Sequence, residues 1–418
     1  MIQKTRLRII GDKLKENQTP NWLAKIQNNS WEPEILISGF SIAFFFILPK
    51  YIYNFTAMLI QDFGANAFLS SVQYGMMIVI ITSLQVLFLG HLTLRGFWAG
   101  LVGLSYVFPN GIKKDSLDKE LQNCTFKKPV DLVIAVERIC SLIFSFAFII
   151  ILFLIKLIVM YAVLIAGFIL LYSLKLNSKE TTIVQLSLVI LATVVFIMFQ
   201  RQKKKRLVKN PASSLTSNLI YTFTTNVSKK TMVLFLLVFT IITIPLSYSS
   251  ISKFRFDVQD GLRNSKSGLT YVDENNYLNK RENGLRIQRA AVGSFLVDKD
   301  YLELYISSYK SDEILIRDIQ ENYDKYKTIM PEIEANELNQ TGIYKIFIDD
   351  EHIFVNDWLL KKDTEHSQKF LTTYIPVDSL SNGIHTLTVR RVRWDRKKKD
   401  FELIENWASI PFKIKQQK

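Results

Sequence analysis

Residues 139–172 read ICSLIFSFAFIIILFLIKLIVMYAVLIAGFILLY, an apolar run with one charge, Lys156, near its middle. A helix crosses a hydrocarbon core of about 30 Å with roughly 20 residues, because each residue rises about 1.5 Å. One helix over 139–172 would reach about 50 Å and would have to tilt or project. Two spans would need a tight turn at Ile155-Lys156-Leu157, where no Gly, Pro, Asn or Asp stands to make it.

Charge decides between one crossing and two. Residues 1–250 hold 25 Lys/Arg against 11 Asp/Glu, and residues 251–418 hold 27 against 27. The formal charge of +14 therefore belongs to the first half, between long apolar runs. Basic loops mark the cytoplasmic side of a membrane protein. Loops 1–30, 93–138 and 201–230 carry six, seven and eight Lys/Arg, whereas 54–74 carries none. With 139–172 crossing once, all three basic loops share the cytoplasmic side and the C-terminal part lies outside. With two crossings, Arg201-Gln-Lys-Lys-Lys-Arg206 would be outside, against the rule. The reading is a multi-span α-helical bundle of about five transmembrane helices, near 35–53, 75–92, 139–172, 183–199 and 231–248. A cytoplasmic segment, 1–34, precedes it.

Trp31 and Tyr51-Ile-Tyr53 suit the two interfaces of the first span, and Lys50 can snorkel to headgroups. The polar stretch before Ile35 is unlike a secretory signal. Gly96 to Phe108 is apolar but too short to cross, and reads as an interfacial or re-entrant piece or the splayed end of the second span. Basic nucleic-acid binders place their charge on a soluble face with few apolar runs, so nucleic acid is excluded as a partner.

Residues 249–268 read as a linker and 269–418 as a soluble β-rich domain. Short runs with strand alternation recur at 294–308, 343–355, 370–377, 384–393 and 401–414, with Asp349-Asp350-Glu351 as a hairpin turn and Leu380-Ser-Asn-Gly383 as another turn. Glu313 to Ile329 has helical spacing. Repeated strands between turns predict a sandwich. The stretch Asn382-Gly-Ile-His-Thr-Leu-Thr-Val389 resembles the late strand of many Ig-like sandwiches, which implies that fold for the domain. The two cysteines, Cys124 and Cys140, lie outside the domain, so core burial alone must hold it.

Candidates for chemistry are few. His91 and Arg95 are four apart at the end of the second span, on one helix face, and could hold a headgroup phosphate or relay a proton. Glu32 and Glu34 precede the first span and could engage a substrate or Arg95, though acids also suit a plain helix start. Glu137-Arg138 heads the third span and reads as a local ion pair. Arg390, Arg391, Arg393, Arg396, Lys397, Lys398 and Lys399 form one dense basic run, a candidate contact for anionic headgroups or an acidic partner. The acidic turn with His352 offers too few oxygens for calcium. No GxSxG, HExxH, Walker or GxGxxG pattern occurs, so no cofactor and no metal site are expected. The leading expectation is a non-enzymatic membrane protein whose external sandwich binds a protein partner. The alternative is a membrane enzyme or a lipid or small-molecule transporter using the His91/Arg95 region.

Overall fold

The computed structural model describes residues 31–172, 215–254 and 272–415, apart from 282–283, 337, 364–367 and 396–397, together with 183, 187, 190 and 194. Among these, four helices are long and apolar enough to cross a membrane, which marks the chain as a membrane protein. Helix α1 is Trp31–Gln61, α2 is Ala67–Val107 and α3 is Pro129–Tyr172. The shorter α4, Leu215–Asn226, precedes the fourth apolar helix, α5, Lys229–Ile251. The expected span at 183–199 lies largely outside the described residues.

The helices outrun the hydropathy windows. Helix α1 continues past Tyr53 to Gln61, and α2 begins before Gly75, where the Asn66 side chain accepts from Leu69 N at 3.1 Å. Helix α2 also absorbs Gly96–Phe108 almost to its end, since no proline interrupts the helix there. At 41 residues it would extend about 60 Å, twice a hydrocarbon core. Helix α3 runs unbroken through Lys156, as the absence of a turn-former at 155–157 requires.

The chain divides into two compact units, one of residues up to 47 with 82–152, the other of 48–81 with 153–418. In the first, Phe45 stacks on Phe88 with centroids 5.9 Å apart, and Gln85 Nε2 donates to the Phe45 carbonyl at 2.8 Å. The second unit contains the ends of α1 and α5, the start of α2 and the β-rich domain.

That domain has two sheets. One is ordered β1 (Ala290–Val292), β3 (Tyr301–Ser307), β7 (Lys369–Pro376), β6 (Leu359–Lys362). The other is ordered β2 (Leu296–Val297), β9 (Asp400–Ile414), β8 (Gly383–Asp395), β4 (Tyr344–Ile348), β5 (Glu351–Ile353). All pairings are antiparallel except β2 with β9. The sheets share one core, with Leu302, Leu304, Ile306 and Ile375 from one side meeting Ile346, Leu387, Val389, Ile410 and Phe412 from the other. Helix α6, Lys310–Glu321, lays Leu315 and Ile319 into that core and is followed by the turn of helix α7, Tyr323–Lys327. The β4–β5 turn is Asp349-Asp350, both at positive φ (49° and 68°), the two-residue form that matches strand twist.

Candidate functional site

Four ionisable side chains converge in the first unit. Glu34 stands in the first turn of α1, His91 and Arg95 one turn apart on α2, and Glu137 on α3. One oxygen of Glu34, Oε2, accepts from the Arg95 guanidinium and faces His91 Nε2 at 3.4 Å. The other arm of Arg95 donates to Glu137 Oε2 at 2.6 Å. Ser38, four residues after Glu34, places its hydroxyl 2.8 Å from His91 Nδ1. A carboxylate can only accept, so the imidazole proton belongs on Nε2, and in the neutral ring Nδ1 accepts from Ser38.

The centre of this cluster is closed to solvent, while the Glu137 side chain is one-third exposed. His91 and Arg95 are essentially fully buried, and so is Cys140, one turn beyond Glu137. The Arg95 guanidinium lies 5.3 Å from the Trp98 ring centroid, Trp98 packs against Trp31, and Phe144 covers His91. Arg95 Nε is buried without a partner. In a water-poor setting the ion pairs are strong, and removing one member strands the others. The group holds two carboxylates, one guanidinium and one imidazole. Chemically it can clamp three helices, or accept a proton.

The sequence reading pairs His91 with Arg95 and offers Glu34 to Arg95 beside a plain helix-start role; the structure joins Glu34 to both His91 and Arg95. It pairs Glu137 with Arg138, whereas the structure turns Glu137 to Arg95, because a long-range partner at the same helix end outcompetes a sequence neighbour pointing to another helix face. Ser38 was missed; its four-residue spacing from Glu34 was the available signal.

The basic run of the β-rich domain is divided by its partners. Arg390 pairs with Glu405 at 2.7 Å and sits over the Phe347 ring. Arg391 turns inward to Asp312, 2.5 Å away. Arg393 donates through Nε to Glu402 at 2.6 Å, and Lys398 reaches the same carboxylate at 3.0 Å. These two cations hold the Glu402 carboxyl below its usual range. Lys399 has a left-handed backbone, φ 51°, and its carbonyl accepts from Lys325. Arg396 and Lys397 lie outside the described residues. The run is therefore interleaved with acids, which weakens its field at a distance.

In the second unit, the last turns of α1 are fastened to the domain. Arg286 is buried and donates to Gln61 Oε1 at 3.2 Å and Asp62 Oδ2 at 2.8 Å. Gln61 donates to the Ile287 carbonyl at 2.7 Å, and Gln368 bridges Ile287, Ser307 and Gln61. Asn54 donates to the Gly284 carbonyl and accepts from Arg286 N. Side-chain amides thus satisfy the strand entry at 284–288, where the ladder has no partner to offer.

One segment of the domain is left uncovered. Glu351–Lys362 runs from the edge strand of one sheet, β5, to the edge strand of the other, β6. Along it Phe354, Leu359 and Leu360 are 71%, 59% and 65% exposed. Successive strand residues face opposite ways, so an edge strand over a core should bury one of two adjacent leucines. Here both stand open. His352 packs against Phe347 and Phe354, and its imidazole is held below its usual value by burial and by Lys345, so it adds no charge at neutral pH. Across the domain, the Asp349 carboxylate of the acidic turn is taken by His385 at 2.5 Å and Thr386 N at 2.8 Å. Among the described residues, no three His, Cys, Asp or Glu side chains are grouped to hold a metal ion.

No family model, curated protein or solved structure matches this chain.

Proposed function

We propose that the chain is a non-enzymatic integral membrane protein of about five spans. Its cytoplasmic N-terminus leads into a bundle that carries an extracytoplasmic Ig-like sandwich, and the sandwich holds a protein partner or serves a membrane assembly. The observation that carries the reading is the exposed Glu351–Lys362 segment with Phe354, Leu359 and Leu360. An uncovered edge strand with apolar side chains on both faces is the surface on which an extended segment of a partner adds a strand, with main-chain hydrogen bonds supplying affinity. The fastening of the domain through Arg286, Gln61 and Gln368 supports it, because a partner bound to the domain is tied to the last turns of α1.

A photo-crosslinking residue at Leu360 in intact cells should give one discrete adduct with a single protein. The same residue at exposed Lys299 should give none. Loss of the Leu360 adduct on introducing Leu359→Asp would assign it to this edge. Equal adducts at both positions, or none at either, would overturn the reading. For topology, a membrane-impermeant maleimide should label Ser381→Cys in intact cells and reach Cys124 only after permeabilisation. The reverse pattern would place the domain inside.

The buried Glu34–His91–Arg95–Glu137 group favours a second reading, a membrane enzyme or transporter of lipid or small molecules centred on His91 and Arg95. Under it, His91→Ala abolishes function at unchanged membrane abundance. Under the scaffold reading, Arg95→Ala lowers abundance by stranding two carboxylates, and His91→Ala leaves partner capture intact.

A further inference from the structure

A cleft in the second unit lies where α1 and α5 meet the β-rich domain, lined by Tyr53, Lys253, Asp273, Arg281, Arg286 and Arg289. Among the described residues, its lining holds four cations and one carboxylate.

Its level is fixed by the helices. Tyr53 forms an aromatic cluster with Tyr74 and Phe254, with centroids 6.1 and 5.4 Å from it. Tyr51 and Tyr248 stand exposed beside it on α1 and α5. Tyrosines gather where hydrocarbon gives way to headgroups. Lys253 follows two residues after the end of α5. With α1 and α5 read as membrane spans, these tyrosines put the cleft at headgroup level.

The cations differ in how far they are committed. Arg286 is held by Asp62 and Gln61, and Arg289 donates to the Trp407 carbonyl at 2.9 Å. Arg281 has no carboxylate paired with it among the described residues. Burial holds its guanidinium below the usual arginine value, with Tyr53 and Asp363 opposing that shift. A half-buried guanidinium with no carboxylate in direct contact among the described residues can take an anion, and its fork matches two phosphate oxygens.

We infer that this cleft binds the phosphate of an anionic phospholipid headgroup, with Arg281 as its principal donor. The same chemistry would accept free phosphate, so the source has to be separated experimentally. The inference rests on reading the helices as membrane spans, which extraction of membranes with alkaline carbonate tests by itself.

The full-length protein in neutral detergent would be offered phosphatidylglycerol or phosphatidylcholine in equal amounts, and bound lipid counted by native mass spectrometry. Phosphatidylglycerol should be retained selectively. Arg281→Gln should weaken its binding about tenfold or more, the effect of losing a charge-assisted pair of hydrogen bonds. Arg281→Lys should keep part of it, and Lys398→Gln, distant in the sequence and exposed, all of it. Equal retention of the two lipids would overturn the inference. So would unchanged phosphatidylglycerol binding by a monodisperse Arg281→Gln protein. Millimolar inorganic phosphate that binds in an Arg281-dependent way, without lipid selectivity, would assign the cleft to free phosphate and reject the lipid.

Discussion

Replacing Arg391 by methionine should destabilise the β-rich domain far more than neutralising its neighbours in the same basic run. Asp312, its partner, has a side chain only 1% exposed, while that of Arg391 is 15% exposed. Asp312 Oδ2 also accepts from Tyr309 N and the Tyr344 hydroxyl, both at 3.1 Å. Breaking a buried ion pair typically costs about 3–5 kcal/mol, because a charge is left without its counterpart. Two donors stay on Asp312, so the lower end applies, about 3 kcal/mol. Methionine keeps the stem packed, which isolates the charge. For a domain of this size that loss lowers the melting temperature by about 6–12 °C. Lys398, with a side chain 70% exposed, shares a pair open to solvent and screened by it, so Lys398→Gln should leave the melting temperature almost unchanged. The assay is pulse proteolysis of the full-length protein across a temperature series, comparing Arg391→Met, Lys398→Gln and the double variant Asp312→Asn/Arg391→Met. The double variant should recover stability, giving a coupling above about 1 kcal/mol. If Arg391→Met and Lys398→Gln shift stability equally, or if the double variant shows no coupling, the inward pair does not hold the fold.

Three further outcomes follow from the same coordinates. Burial works against protonation of His385, but the Ser381 carbonyl and the Asp349 carboxylate outweigh it and raise the imidazole above its usual value; its contribution to stability is present in full below about pH 6.5 and is lost as pH rises through the raised value, so a pH series of melting temperatures should slope there and flatten in His385→Gln. Asp350 sits at φ 68° and its side chain makes no bond like those of Asp349, so Asp350→Gly should raise stability by about 0.5–1 kcal/mol, read by the same proteolysis, whereas Asp349→Gly should lower it. Arg286→Ala should cost about 2–3 kcal/mol, discounted because Asp62 is one-third exposed, and should speed hydrogen exchange at 284–288; unchanged exchange there would show that the helix end does not hold the domain.

Much of the architecture is legible as pattern. Apolar length finds α1, α2, α3 and α5, and turn chemistry finds the Asp349-Asp350 hairpin, because both signals act over a few neighbouring residues. What escapes depends on distant partners. Hydropathy ends α2 near Leu92, since nothing in a window says that a helix continues beyond the bilayer. The inward turn of Arg391 escapes for a sharper reason. In β8 the register slips between Val389, opposite Ala408, and Arg391, opposite Ile404. Core positions therefore pass from Leu387 and Val389 to Val392, changing phase where the two arginines stand. Alternation read along the sequence assigns the wrong face beyond that point. The link from Glu137 to Arg95 escapes because spacing reports neighbours on one helix and is silent about the next. The strand holding Leu359-Leu360 lies outside the strand runs read from the sequence, and its uncovered state needs the sheet order.

The place of β9 has a consequence for biosynthesis. It lies between β2 and β8, carrying Trp407, Ile410, Phe412 and Ile414 into the core, yet it is made after every strand that it joins. A ribosome releases the helices first, so they reach the bilayer while this sheet still lacks its second member. Until β9 emerges, β2 has no strand to pair with and one edge of β8 is unpaired. Long-range pairing of this kind is slow and leaves sticky intermediates. The finished helix end, with Gln61 and Asp62 ready for Arg286, then offers the newly made domain a fixed surface on which to close.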